Sequence, residues 1–428
     1  MPEPSALSSS RPIRVPTATS SLTRLTAVIV ACALFMQNLD STVIATALPT
    51  MAHAFGIQPV RMNVTLTSYL LSLAVFIPAS GWIADRFGTR TVFRAAIAVF
   101  TVGSILCGQA DSLGFLVAAR VLQGIGGAMM VPVGRLIVVR SVDKRDLVKA
   151  IATITWPAIA APVIGPPIGG FITTYASWRW IFLLNVPFGI AALVATMLMV
   201  RNARSTERSP LDIVGFVLSG ATLTCILYGT ELASQQGKSI ALAAGYVVAG
   251  IVLGVVAVRH AARHKHPLLD YTTLRVPTFS VTVITGSITR IGIGAMPYLL
   301  PLLFQIGFGM TAFRSGLLLL VSALGALGMK ALTTPTFRRY GFRTTAIVAV
   351  AIGGIAIVAW GWLSPQTSLA VVLLVLFVYG ATRSMQFSLL ATLAYADIPP
   401  MQLNSANTLW NAAQQMTLGM GIAFGALS

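Results

Sequence analysis

Long apolar runs alternate with short polar connections along this chain, and the runs have the length a bilayer demands. A spanning helix needs about 20 mainly apolar residues. On that rule the pattern predicts thirteen helices: 25–49, 63–84, 91–110, 114–139, 148–174, 179–200, 211–231, 240–259, 278–307, 313–336, 344–363, 367–393 and 404–428. The expected fold class is an all-α polytopic membrane protein. Residues 1–22 are rich in Ser, Pro and Thr and lack the apolar core of a signal peptide, so a disordered cytoplasmic tail is expected there.

A near-repeat organises the runs. Asp85-Arg86-Phe87-Gly88-Thr89-Arg90-Thr91 returns as Arg338-Arg339-Tyr340-Gly341-Phe342-Arg343-Thr344, each position shifted by 253 residues. Each copy is read as a short basic loop between two apolar runs. Duplicated halves of membrane helices often belong to transporters that rock one half against the other around a site at the interface. The first copy follows the second run and the second copy follows the tenth. Two six-helix halves would separate the copies by six helices, whereas the separation here is eight. The expected organisation is therefore a six-helix half (23–205), two inserted helices with a basic cytoplasmic loop (206–275) and a second half (276–428). That second half holds five helices, and the sequence ends inside the apolar stretch Gly425-Ala426-Leu427-Ser428. A fourteenth helix is expected to be missing.

Composition agrees with the pattern. Hydrophobic residues are 56% of 428 and charged residues 9%, where a soluble domain carries roughly a quarter. The net charge of +18 would suggest nucleic acid if the cations were clustered. Instead they recur in the short connections. The segments containing Arg11, Arg86, Arg140, Arg201, Arg259 and Arg338 hold twenty of the 29 Lys and Arg, and the opposite side holds Arg61, Arg179, Lys238 and Arg314. Positive charge marks the cytoplasmic side, which predicts a cytoplasmic N-terminus.

Other classes find little support. Cys32, Cys107 and Cys225 lie far apart in apolar segments, so neither a disulfide framework nor a metal site is expected. No Gly-x-x-x-x-Gly-Lys-[Ser/Thr] loop is present and no connection is long enough for an ATPase domain. Three of the four histidines, His260, His264 and His266, share one basic loop and read as solvated surface rather than a metal site. No enzyme chemistry and no cofactor are expected; the partners are a small-molecule substrate, a proton and the bilayer, with a monomer sufficient.

Five motifs, in order, resemble the major facilitator superfamily, specifically its fourteen-helix drug:proton antiporters of the EmrB/QacA type. They are Leu39-Asp40-Ser41-Thr42-Val43-Ile44 with Ala47-Leu48-Pro49, Gly81-Trp82-Ile83-Ala84-Asp85-Arg86-Phe87-Gly88-Thr89-Arg90, Arg120-Val121-Leu122-Gln123-Gly124-Ile125-Gly126-Gly127, Gly165-Pro166-Pro167-Ile168-Gly169-Gly170, and Trp178-Arg179-Trp180-Ile181-Phe182 running to Pro187. The likeness covers essentially the whole chain and is strongest to a group of enterobacterial multidrug transporters. It implies two six-helix halves plus two inserted helices, and secondary active export coupled to protons. It also places Arg120 in proton transfer and associates the Gly165 motif with exchange rather than uptake.

The residues support parts of this independently. Asp40 is read as the only acidic residue in the middle of a helix, a placement that is costly and therefore a functional candidate. Its expected depth of roughly 13 Å and that of Arg120, roughly 9 Å, allow the two to meet. A proton-coupling pair and a permanent structural lock both remain open for them. Arg290 and Arg383 are mid-membrane cations that suit anionic or zwitterionic groups in a cavity, or else bond backbone carbonyls. Asn404, Asn407, Asn411, Gln414 and Gln415 recur every three or four residues and share one face, as Gln37 and Asp40 do on a shorter scale. Such a stripe lines a cavity, expected near the outer end, or packs on neighbouring helices, expected near the inner end. Gly81, Asp85, Arg86, Gly88 and Arg90 are expected to form a cytoplasmic gate, with Gly81 allowing close packing. Gly165, Pro166, Gly169 and Gly170 are expected to bend and pack helix 5 tightly. A metabolite exporter or importer of the same fold and a membrane regulatory protein without transport are the remaining alternatives.

Overall fold

The computed structural model describes residues 20–141, 147–200, 202, 210–234, 239–265, 267–399 and 402–426. Most of the expected tail, the cations Arg11, Arg14, Lys144, Arg145, Arg201, Arg204, Arg208 and Lys238, and His266 lie outside the described residues. The helices are α1 (Ser20–Phe55), α2 (Asn63–Phe87), α3 (Thr89–Gly108), α4 (Leu113–Ser141) and α5 (Leu147–Tyr175). They continue with α6 (Trp180–Met199), α7 (Ile213–Ser234), α8 (Ile240–Arg263) and α9 (Pro277–Gly307). The run Ala312–Trp360 breaks at Gly341 into α10 (312–340) and α11 (342–360), and α12 (Leu369–Tyr395) and α13 (Leu403–Gly425) complete the order. Among the described residues, eleven continuous helices are long and apolar enough to cross a bilayer. Splitting the longest at Gly341 and adding α13, whose Asn and Gln residues lower its hydropathy, gives the thirteen that the pattern predicts. Helices satisfy every internal backbone group within one segment, which is what lipid requires.

The repeat is structural as well as sequential. Gly88 joins α2 to α3 with φ 93°, and Gly341 joins α10 to α11 with φ 74°. Only glycine adopts that region readily. The expected basic loops are thus reduced to single glycines between helices.

Two ends of the bundle differ. The end carrying Arg86, Arg140, Arg259 and Arg338 is called here the basic end. At the opposite end, one apolar cluster unites Leu48, Met51 and Phe182 of the first half with Tyr298 of α9 and Ile422 of α13. Towards the basic end the halves have separate clusters, one around Phe93 and Phe100 and another around Phe279 and Trp410. The halves meet along α5 with α10 and along α2 with α13. The inserted helices α7 and α8 pack on each other, and α7 also touches α2 and α13. α8 presents Ile251, Val252, Val255 and Val258 outward, as a lipid-facing helix must.

Candidate transport site

Asp40 of α1 lies at the centre of a polar network drawn from the first half, and is 3% exposed. Its Oδ2 accepts from Arg120 Nη1 at 2.6 Å. Its Oδ1 accepts from Gln123 Nε2 at 2.9 Å and from Asn185 Nδ2 at 2.8 Å. Arg120, fully buried on α4, donates through Nε to the Thr65 carbonyl at 3.1 Å and again through Nη1 to Gln123 Oε1 at 2.7 Å. Its guanidinium lies 4.3 Å from the Tyr69 ring centroid and 5.8 Å from that of Phe182. Gln123 completes the set by donating to Ser104 Oγ at 2.8 Å. Five helices, α1, α2, α3, α4 and α6, therefore converge on one charge pair. A buried carboxylate keeps its charge only with such a partner and several donors. Gln37, one turn before Asp40, is also buried, beside Gly127 and Tyr69.

A second polar group lies in the other half. Arg290 of α9 is 1% exposed. It stacks on Trp410 of α13 at 4.1 Å and on Phe387 of α12 at 5.9 Å. Its Nε and Nη1 have no hydrogen-bond acceptor, although both are buried. Asn411 donates to Asn407 Oδ1 at 3.0 Å, and Tyr395 of α12 donates to the same oxygen at 3.1 Å. This end of the stripe is engaged with a neighbouring helix; Gln414, further along, is half-buried. Arg383 is half-buried near the ring of Tyr379 on its own helix. Arg290 and the stripe thus share one half, while Gln37 belongs to the Asp40 network.

The two ends are held by different means. At the basic end Asp85 accepts from Arg140 of α4 at 2.8 Å, and both are partly exposed. Arg90 donates to the Met197 carbonyl through its side chain and to Asn202 Oδ1 through its backbone at 3.1 Å. Arg86 is exposed, and Gly88 packs against Asn202. These contacts tie α2, α3, α4 and the segment after α6 within one half. Gly81 departs from expectation: it is exposed and a Cβ there would meet nothing within 4 Å. Its surroundings are open because the halves carry separate cores at this end.

The Gly165 motif seals the other end. A Cβ on Gly165 or Gly169 would collide with Thr42 or Val43 of α1, and one on Gly170 with the Ala312 carbonyl of α10. Gly316 lies equally close to the Pro166 carbonyl. The motif thus presses α5 against both α1 and α10, and α5 stays one uninterrupted helix through four prolines. Gln305 donating to the Thr46 carbonyl at 2.9 Å and Phe313 N donating to Thr174 Oγ1 at 3.0 Å cross the same seam.

The sequence profile of the Major Facilitator Superfamily matches residues 30–424. The chain belongs to this superfamily. Among curated relatives, a protein of Serratia proteamaculans named "Putative multidrug resistance protein MdtD" is 39% identical over 92% of this chain and 83% of its own length. A protein of the same name from Cronobacter sakazakii is 37% identical over 93% of this chain and 84% of its own. The partially occluded, inward-open xylose transporter XylE of E. coli shares the fold, with a TM-score of 0.63 and 16% identity over 96% of this chain and 92% of that one. The resemblance expected from the five motifs, to the superfamily and its enterobacterial multidrug members, is thereby met.

As a superfamily member the chain is a multi-pass membrane transporter, and several of its key residues are not obvious from sequence. Gln123 lies one helical turn from Arg120, so the same face was predictable, but Ser104 and Asn185 carry no local signal. Glu231 at the end of α7 is a further buried acid, 5% exposed, accepting from Asn63 Nδ2 at 3.0 Å. Asp40 stays the acid at mid-helix, and Glu231 adds a second buried acid at a helix end. The expected solvated histidine loop also differs: His260 Nε2 bonds the buried Asp212 at 2.8 Å. Asp212, His260 and His264 place possible metal-ligating atoms within 4.8 Å of one another. Asp212 already accepts from Gly215 N and Leu268 N, and Arg259, Arg263 and Lys265 are close in sequence. A helix cap describes this cluster better than a dication site.

Proposed function

We propose that this chain exports small amphiphilic or drug-like molecules in exchange for protons, by alternating access. In this reading it acts in the bacterial cytoplasmic membrane as a monomer with its N-terminus in the cytoplasm. The observation that carries the proposal is the Asp40–Arg120 pair, a desolvated ion pair held by donors and acceptors from five helices. A proton arriving at Asp40 neutralises the carboxylate and weakens its hold on the guanidinium. Arg120 Nη1 has a second acceptor in Gln123 Oε1, so the cation remains bonded as the pair separates. The first half then carries one net positive charge in a low-dielectric site, which favours a different helix arrangement. Closure at the end opposite the basic end, with separate cores at the basic end, corresponds to a state open to the cytoplasm.

Substrate recognition is assigned to the second half. Asp397 is the only acidic residue in 276–428, and Arg290 Nε and Nη1 bond neither it nor any other acceptor among the described residues. An aromatic-stacked guanidinium with free donors suits a carboxylate or zwitterion. That feature favours a second reading, transport of an endogenous acidic metabolite. The relatives' name favours drugs.

Everted membrane vesicles test the proposal. Substrate should accumulate with a proton gradient and not after its collapse, and Asp40→Asn should abolish gradient-driven accumulation while the protein remains in the membrane. Equal accumulation with and without the gradient rejects coupling.

A further inference from the structure

The inserted helix pair leaves a groove where it meets α13. The groove has a volume of about 570 Å³ and is walled by Leu223 of α7, Ile251 and Val255 of α8, and Leu409, Ala413 and Met416 of α13. Leu269 and Tyr271 also line it, and Arg259 stands at its basic end. From Ile251 to Arg259 the groove runs roughly 12 Å along α8, close to the acyl depth of one leaflet, about half of a 30 Å hydrocarbon core.

We propose that this groove is a binding site for an anionic phospholipid of the leaflet at the basic end, with an acyl chain along the groove and the phosphate on Arg259. Charge and construction both favour that occupant. Arg259 lines the groove and is exposed, and Arg263, one turn further along α8, and Lys265 just after it are exposed too. The two nearby acids are turned away from it: Asp212 is engaged by Gly215 N, Leu268 N and His260, and Asp270 by Thr272 N and Oγ1. The headgroup therefore meets net positive charge, and basic pockets beside membrane helices recognise anionic headgroups. Asp212 also ties the start of α7 to the end of α8 and to the segment leading to Tyr271, so the rim is held by hydrogen bonds rather than by packing alone. A zwitterionic lipid would fill the apolar walls but bring a second cation to Arg259.

The test uses the full-length purified chain in detergent with added phosphatidylglycerol or phosphatidylcholine, read by native mass spectrometry and thermal shift. Wild type should retain phosphatidylglycerol in preference to phosphatidylcholine, and inorganic phosphate alone should not stabilise it. Arg259→Gln should weaken phosphatidylglycerol retention roughly fivefold. Ala413→Phe should remove it by filling the groove, and Arg314→Gln at the other end should leave it unchanged. Equal retention of both lipids, or Arg259→Gln behaving as wild type, overturns the proposal. Should Ala413→Phe fail to fold, the surface substitution Arg259→Gln decides the question alone.

Discussion

The Asp40 network allows a lock and a proton carrier to be separated by one double-mutant cycle. Asp40→Asn keeps the shape but offers one acceptor oxygen and one NH2 group to three converging donors. At least one donor must lose its acceptor, at about 1.5–3 kcal/mol for a charged partner. Removing one member of a buried pair costs about 3–5 kcal/mol in all. Arg120 keeps the Gln123 and Thr65 oxygens and the Tyr69 face, so Asp40→Asn should sit near the lower figure. Arg120→Met leaves a buried carboxylate with two neutral amide donors and should sit near the upper one. The double variant buries no charge here and should be more stable than Arg120→Met alone by about 2 kcal/mol or more. Unfolding in SDS or urea, followed by tryptophan fluorescence, measures the cycle. A coupling energy below about 0.5 kcal/mol refutes the energetic argument. Vesicle transport then separates the roles. If the double variant is folded yet lacks gradient-driven accumulation, the pair does more than lock helices. If it still accumulates substrate on a gradient, Asp40 is not the proton carrier.

Other parts of the structure give sharper expectations. Gly170→Ala forces α5 away from the Ala312 carbonyl at about 1–3 kcal/mol; a cysteine at Thr174 should then label faster with an impermeant maleimide, and an unchanged rate contradicts the seam. Asp85→Asn breaks a partly exposed pair and should cost only about 0.2–1 kcal/mol, a difference that shrinks in high salt; a loss above about 2 kcal/mol would mean the pair is more than a surface contact. Arg290→Gln should raise KM for carboxylate-bearing substrates roughly 10–100-fold and spare purely cationic ones, so equal effects on both would remove Arg290 from substrate recognition. Burial raises the Asp212 carboxyl pKa, but hydrogen bonds from Gly215 N, His260 and Leu268 N, with the charge of His260, outweigh it and hold it below the ordinary value. Its stabilising contribution is present above the unfolded-state pKa near 4 and is lost as pH falls through the lower folded value. The stability gap between wild type and Asp212→Asn should therefore narrow below about pH 4, and a gap that widens on acidification would reverse the assignment.

Length and hydropathy made the helices legible, because lipid leaves few backbone solutions. Even the break at Gly341 follows from the repeat, since its partner Gly88 occupies the same left-handed region. The meeting of Asp40 and Arg120 was also readable, from helix depth alone. The rest of that network was not. Ser104 and Asn185 are single polar residues in apolar helices, and nothing local distinguishes a network member from a residue bonding its own helix. Glu231 escaped notice because it lies at a helix end, where an acid is inexpensive unless tertiary packing buries it, as Asn63 and α2 do here. Gly81 misled for the opposite reason: a small residue permits close approach without requiring it, and the basic-end surroundings are open.

The two ends differ in what can adjust them. The seam of α5 on α1 and α10 is formed largely by glycine backbone against carbonyl oxygens and hydroxyls, with no ionisable group among those contacts. At the basic end the first half is held together by an ion pair, Asp85 with Arg140, in partial contact with solvent. Ionic strength and anionic headgroups therefore act on the basic end and leave the seam untouched. Selection can retune the ionic side gradually, charge by charge. On the steric side even one added methyl group is a large step, so the basic end tolerates gradual change and the opposite seam does not.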